Sequence, residues 1–171
     1  MRNVNSRSQA NRGMGLERLI DMSNTQYRNK GVADIRKIPT PVKIISNVKG
    51  RISGHVTKGE LVDYFGVKDG RAIVFDAKET NITTSFPLKN VHEHQFNILK
   101  SWHQKGAKAF LLVSFTKRQY ETYLLPFEML EEAWKGYVGD GRKSIPYEDF
   151  MLNCDLVKSD KGYVLHYLKS V

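Results

Sequence analysis

The sequence has one cysteine, Cys154, among 171 residues. A single thiol closes no internal disulfide and builds no cysteine-based zinc site, so a reducing, intracellular setting fits best. No apolar run approaches the roughly 18 residues that a membrane span requires. The N-terminus is polar and basic and lacks the apolar stretch of a secretory signal. These absences lead us to expect a cytoplasmic protein with no membrane partner. Internal repeats and long linkers are absent too. Acidic residues are scarce in one region only: residues 1–60 hold 12 Lys/Arg and 4 Asp/Glu, whereas residues 61–171 hold 15 and 14. The net charge is +9, so the first third carries nearly all of the positive excess. A localised field of that kind suits a polyanion, most often nucleic acid and less often an anionic membrane. Basic domains that bind no nucleic acid remain the alternative. With 40% hydrophobic and 26% charged residues, the composition is that of an ordinary globular chain long enough for one core.

Residues 1–13 include Arg7 and Arg12 and offer almost nothing to bury. They read as a flexible basic arm, or as a start-site leftover, ahead of a single domain over 14–171. A helical pattern follows from Met14, with Leu16, Leu19, Ile20, Ser23 and Tyr27 on one stripe and Glu17 at its border. Lys30 and Gly31 end it. Val32–Ile38 reads as a strand broken by Pro39 and Pro41. Residues 42–60 have too few large apolar residues for a core. They predict a protruding hairpin or an ordinary surface loop, carrying Lys43, Lys49, Arg51 and Lys58.

Asp69-Gly70 marks a turn between two strands. In the second strand, Ile73, Phe75 and Ala77 point one way, and Val74, Asp76 and Lys78 the other. Residues 81–90 read as a loop, and Val91–Lys105 as a helix with Gln95 on its inner face. Ala109–Phe115 reads as a buried central strand. Tyr120–Leu125 is the next strand, and Pro126–Lys135 a helix. The tail holds a basic Gly-rich loop with Arg142 and Lys143, a short helix and a last strand at Tyr163–Leu168. The expected fold class is a mixed α/β sandwich.

Asp76 and Lys78 leave the strand on one face beside Val74, where a buried carboxylate and ammonium are costly unless used. On an exposed face the same pair would be a solvated ion pair. An antiparallel pairing about the Asp69-Gly70 turn brings Asp63 to the same end of the strands as Asp76. Two close carboxylates repel unless one is protonated or a divalent cation sits between them, and oxygen ligands favour Mg²⁺ or Mn²⁺. The chemistry this serves is phosphodiester hydrolysis, with Lys78 beside the attacking water and Gln95 as a neutral polar partner.

Several segments occur in a specific order: Asn11-Arg12-Gly13-Met14-x-Leu16-Glu17, Pro39-Thr40-Pro41, Asp63-Tyr64-x-Gly66, Phe75-x-Ala77-Lys78-Glu79-Thr80, Thr84-Ser85-Phe86-Pro87-Leu88, His92-x-His94-Gln95 and Gly141-Arg142-Lys143-Ser144-Ile145. Together they resemble the RecU family of Holliday junction resolvases of low-GC Gram-positive bacteria and their phages. The resemblance spans about residues 11–145. It implies a restriction-endonuclease-like core of the PD-(D/E)xK type, a central mixed sheet flanked by helices, with residues 42–60 as a stalk. It also implies a homodimer that makes paired, symmetric, Mg²⁺- or Mn²⁺-dependent cuts in four-way DNA junctions during recombination and repair. By position, Asp63 and Asp76 become metal-binding acids, with the Ala77 carbonyl beside them. Lys78 becomes the catalytic lysine, Glu17 the acid of the first helix that completes the site, and Gln95 the polar residue behind it. One departure is that the middle acid is usually Glu in this family and is Asp76 here. Arg7, Arg12, Lys43, Lys49, Arg51, Lys58, Arg142 and Lys143 are the expected DNA contacts. Other recombination proteins are further candidate partners. A nuclease of the same fold acting on other DNA, or a silent junction-binding factor, are the rival readings. His92 and His94, at a helix start, read as capping or phosphate-contacting groups before metal ligands or general acids.

Overall fold

A computed structural model describes residues 15–56 and 61–171. The expected arm at 1–13, with Arg7 and Arg12, and also Lys58, lie outside the described residues. The chain opens with helix α1 (Leu16–Asn29), followed by strands β1 (Asp34–Lys37), β2 (Val42–Val48), β3 (Arg51–Val56), β4 (Tyr64–Lys68), β5 (Arg71–Thr80) and β6 (Ser85–Pro87). After a 3-10 turn come α2 (Glu93–Gln104), β7 (Lys108–Phe115), β8 (Glu121–Pro126), α3 (Phe127–Val138), β9 (Ser144–Pro146), α4 (Tyr147–Asn153) and β10 (Asp155–Val157). Six strands form one sheet in the order β1-β4-β5-β7-β8-β10. Only β5 and β7 pair in parallel, so the sheet is mixed. This is the expected architecture: a central mixed sheet flanked by helices.

The alternation of β5 assigns its side chains to two cores. Val74 joins Phe96 and Leu99 of α2 and Phe127 and Leu130 of α3 on one face. Ile73 and Phe75 join Leu16, Leu19, Ile20 and Tyr27 of α1 on the other. On that second face Phe75 stacks between Tyr64 and Phe110, each 4.8 Å away and 8° from parallel. This aromatic ladder crosses three strands and pins their register next to Asp76. Asp69 and Gly70 have φ of 50° and 75°, the positive pair that a two-residue hairpin turn needs to match strand twist. Gly66 is required for a different reason. A Cβ there would lie 2.1 Å from the Asp34 carbonyl oxygen of the edge strand.

The tail differs from the pattern-based expectation. The last strand is β10, and it lies earlier than the Tyr163–Leu168 run. The backbone N–H groups of Val164, Leu165 and Leu168 are taken by Gln26 Oε1 (2.9 Å), Ser23 Oγ (2.9 Å) and Tyr27 Oη (3.1 Å) of α1. Polar side chains of a helix thus satisfy donors that a neighbouring strand would otherwise accept. The 81–90 loop also contains a short strand, β6, which pairs with β9.

β2 and β3 form a separate hairpin with every residue exposed. Val42 pairs with Val56, and the register shifts between Ile44 and Ser46. Lys43, Lys49 and Arg51 stand on it in solvent. The protruding hairpin is therefore observed, and the surface-loop alternative is not.

Candidate active site

The site forms where β4 stops. The β4–β5 ladder ends at Tyr64 opposite Phe75, so from Asp76 onward β5 has no β4 residue beside it. Asp63, one residue before β4, takes that place. Its Oδ2 accepts a hydrogen bond from the Ala77 N–H at 3.0 Å, and its own N–H donates to Asp76 Oδ1 at 3.1 Å. The Asp63 carboxylate is tied to the backbone just after Asp76, and the Asp76 carboxylate to the backbone of Asp63, at the end of the strands where the turn spacing predicts them.

Asp76 has no exposed surface. Gln95 Nε2 donates to its Oδ1 at 2.9 Å. Its Oδ2 lies 2.7 Å from the Lys78 ammonium yet accepts no hydrogen bond, so that contact is ionic but badly aligned. Burial pushes the Asp76 carboxyl well above its ordinary range; the Lys78 charge pulls it back and the Asp63 charge adds to the rise. Gln95 Oε1 accepts from Lys78 Nζ at 2.9 Å and from the His92 backbone N–H at 3.1 Å. One carboxamide at the start of α2 therefore orients both the acid and the lysine. That role follows from its position three residues after His92, where a glutamine reaches back to the helix-start N–H.

A buried carboxylate oxygen with an unused acceptor position, beside a second carboxylate, fits a hard divalent cation. Asp63, Asp76 and the Ala77 carbonyl are the oxygen donors the chain could offer it. Among the described residues no group of three or more His, Cys, Asp or Glu is placed to hold a metal. Two carboxylates suffice for Mg²⁺, which keeps several waters and also takes phosphate oxygens.

Glu17 stands apart from this pair. Its α1 helix covers the other face of the sheet, and its half-exposed carboxylate meets Lys37 Nζ at 2.5 Å. Lys37 holds its proton more tightly because of that bond and because Asp21 and Asp63 also lie in its field. Lys37 thus pairs with Glu17, and Asp63 acts on it only through the field. The Lys37 side chain lies on the same face of β1 as Ile35, and a lysine two residues after that buried isoleucine in a short edge strand was the signal for it. A second residue that motif reading passed over is Glu79. Its Oε1 accepts the Leu16 N–H at 2.9 Å and so caps α1, which has no capping side chain of its own.

The structure does not gather the expected DNA contacts at one place. Lys43, Lys49 and Arg51 lie on the hairpin. Arg142 is exposed near the end of α3, and the Lys143 ammonium is bound to the Tyr137 and Gly139 carbonyls (2.7 and 2.6 Å), where it caps that helix. A groove of about 810 Å³ lies at the far end of β5 beside Trp102 and includes neither Asp63 nor Asp76. A groove of about 600 Å³ lined by Asp63, Gln95, His92 and His94 adjoins the acid pair.

The Asp63–Asp76 pair with an attending lysine has the chemistry that metal-assisted phosphodiester hydrolysis asks of a nuclease site. The profile of the family described as Recombination protein U matches residues 11–171. The Holliday junction resolvase RecU of Staphylococcus saprophyticus is 37% identical over 167 residues, covering 94% of this chain and 79% of that protein. The proteins of the same name from Staphylococcus carnosus and Staphylococcus aureus are 41% and 39% identical over 166 residues, with the same coverage. A solved structure of Hjc, a Holliday junction resolvase from Archaeoglobus fulgidus, aligns at a TM-score of 0.45 and 10% identity, over 78% of this chain and 92% of that one. The chain belongs to the Recombination protein U family.

Proposed function

We propose that the chain resolves four-way DNA junctions as a divalent-metal-dependent endonuclease. The observation that carries this reading is the buried Asp76, with its misaligned Oδ2, held against Asp63, Lys78 and Gln95. Asp63, Asp76 and the Ala77 carbonyl would hold Mg²⁺ or Mn²⁺. When bound, the ion polarises a phosphate oxygen and makes its water a stronger nucleophile. Lys78 Nζ, steadied by Gln95 Oε1, donates a hydrogen bond to the attacking water or to a phosphoryl oxygen as its charge grows. Gln95 keeps Asp76 from turning away. Glu17, held by Lys37 on the other face of the sheet, would act on the site only through the field at long range. The shorter reach of Asp76, compared with a glutamate, bears on which metal the site prefers.

A four-way junction has two-fold symmetry and needs two matched cuts, which a C₂ homodimer supplies. The exposed hairpin carries Lys43, Lys49 and Arg51 toward the phosphates that converge at the branch, and Arg142 adds a contact elsewhere, while the Lys143 ammonium is held by the end of α3. Selectivity then rests on shape and phosphate spacing. A cytoplasmic setting and contact with other recombination proteins complete the reading. The test is cleavage of a mobile synthetic junction beside a linear duplex and a flap, with and without Mg²⁺. Paired, Mg²⁺-dependent junction cuts are expected. Equal cutting of plain duplex would assign the site to another DNA target, and tight junction binding with no cut would make the chain a binding factor.

A further inference from the structure

The groove beside the acid pair has walls unlike the rest of the site. The segments that leave β1 and enter β4 contribute Pro39, Pro41 and Leu61. The start of α2 contributes His92 and His94, whose rings lie 5.5 Å apart between centroids and 10° from parallel. Asp63 and Gln95 are shared with the catalytic cluster, so whatever fills the groove lies next to the reacting phosphate. Among its described lining residues there is no lysine or arginine. A channel for phosphates alone would be lined by cations. Proline rings, a leucine and near-parallel imidazoles instead suit the faces of a nucleobase. The volume of about 600 Å³ falls in the range of small-ligand pockets.

We propose that this groove is a base-reading subsite for the cut strand. It takes an unstacked nucleobase flanking the scissile phosphate, with His92 and His94 as its stacking platform. It thereby decides where along a junction the strand is cut. Unstacking costs least where a base is already unpaired, so a branch point opened by the protein is the part of the junction best able to supply the occupant. This inference rests on the junction-cleaving reading above.

Two measurements test it. First, cut positions are mapped on every strand of a mobile junction for the wild type, the double variant His92→Ala/His94→Ala, and His94→Phe. The wild type should concentrate its cuts at a few positions. The double variant should lower the ratio of preferred to other cuts by about fivefold or more, and His94→Phe, which keeps a flat ring, should retain most of it. Equal slowing at all positions with the ratio unchanged would overturn the proposal. Second, a junction with 2-aminopurine at the preferred position is titrated with wild-type protein in the absence of added metal. A change in emission on binding, lost in the double variant, is expected; binding with no change in the wild type would overturn the proposal whatever the variants do. A wild type that leaves junctions whole in Mg²⁺ contradicts the nuclease reading instead, and the fluorescence titration still decides the groove.

Discussion

At Asp76 a single carboxyl group carries opposing demands. It is fully buried, bonded to Gln95 and the Asp63 N–H, and set against the Lys78 ammonium. Asp76→Asn and Lys78→Ala should each lower junction cutting by about 10²-fold or more while leaving junction affinity within a few-fold, measured by strand cleavage and gel shift. Gln95→Ala should cost about tenfold, because it releases both groups without removing either. The carboxyl also predicts a pH dependence. Its value in the folded protein is raised from the ordinary 3.8 to about 7 by burial, against the pull of Lys78 and with the push of Asp63. The protonated form is the one the metal-free fold favours. Its contribution to stability is complete below 3.8 and is lost as pH rises through about 7. A cation competes with that proton. Mg²⁺ at a hundredfold its dissociation constant stabilises the fold by about 2.7 kcal/mol. At a fixed Mg²⁺ concentration the gain should grow between pH 6 and 8, and should vanish in Asp76→Asn, as read by thermal melting.

Among the elements, β5 matters most, because its two faces serve different ends. Phe75 lies inside the ladder with Tyr64 and Phe110, and the next residue is a metal-binding candidate. Phe75→Ala should destabilise the chain by about 3–5 kcal/mol in chemical denaturation. The β2–β3 hairpin is the opposite case: nothing on it is buried, so it adds little to the core. Deleting residues 46–55 should leave the denaturation midpoint nearly unchanged and sharply reduce junction binding or cutting. A hairpin deletion that unfolds the protein, or one that cuts junctions normally, would contradict this division of labour.

For the molecule as a whole, charge is the controlling quantity. The positive excess of residues 1–60 includes the hairpin cations, while the acid pair sits in the nearly neutral remainder. Junction affinity should fall linearly on a log–log plot against salt, with a slope of roughly −0.9 per neutralised phosphate. Neutralising Lys43, Lys49 and Arg51 together should flatten that slope by about 2.7 if each meets one phosphate. An unchanged slope would place the DNA elsewhere on the surface.

Much of this was legible in the residues themselves, because it depends on local rules. The alternation of Ile73 to Lys78 assigned Asp76 and Lys78 to one face, and the Asp69-Gly70 turn set Asp63 beside Asp76. The hairpin over 42–56 was legible as an excursion from the core, but its Val42, Ile44, Ile45, Val48, Ile52 and Val56 are all exposed, so it lacks a core because nothing packs against it and not because apolar residues are scarce. Where a group pairs with a distant segment, sequence had no access to it. Lys143 fits a DNA-binding cation by composition, yet its ammonium caps α3 because the loop folds back on the helix end. Glu17 lies in the expected first helix, but that helix packs on the far face of the sheet and hands its carboxylate to Lys37. The 163–168 run has strand-like residues, and only the approach of α1 gave its backbone N–H groups other acceptors. Spacing determines which side chains share a face; only the packed chain decides which face, and which partner, each charge finally meets.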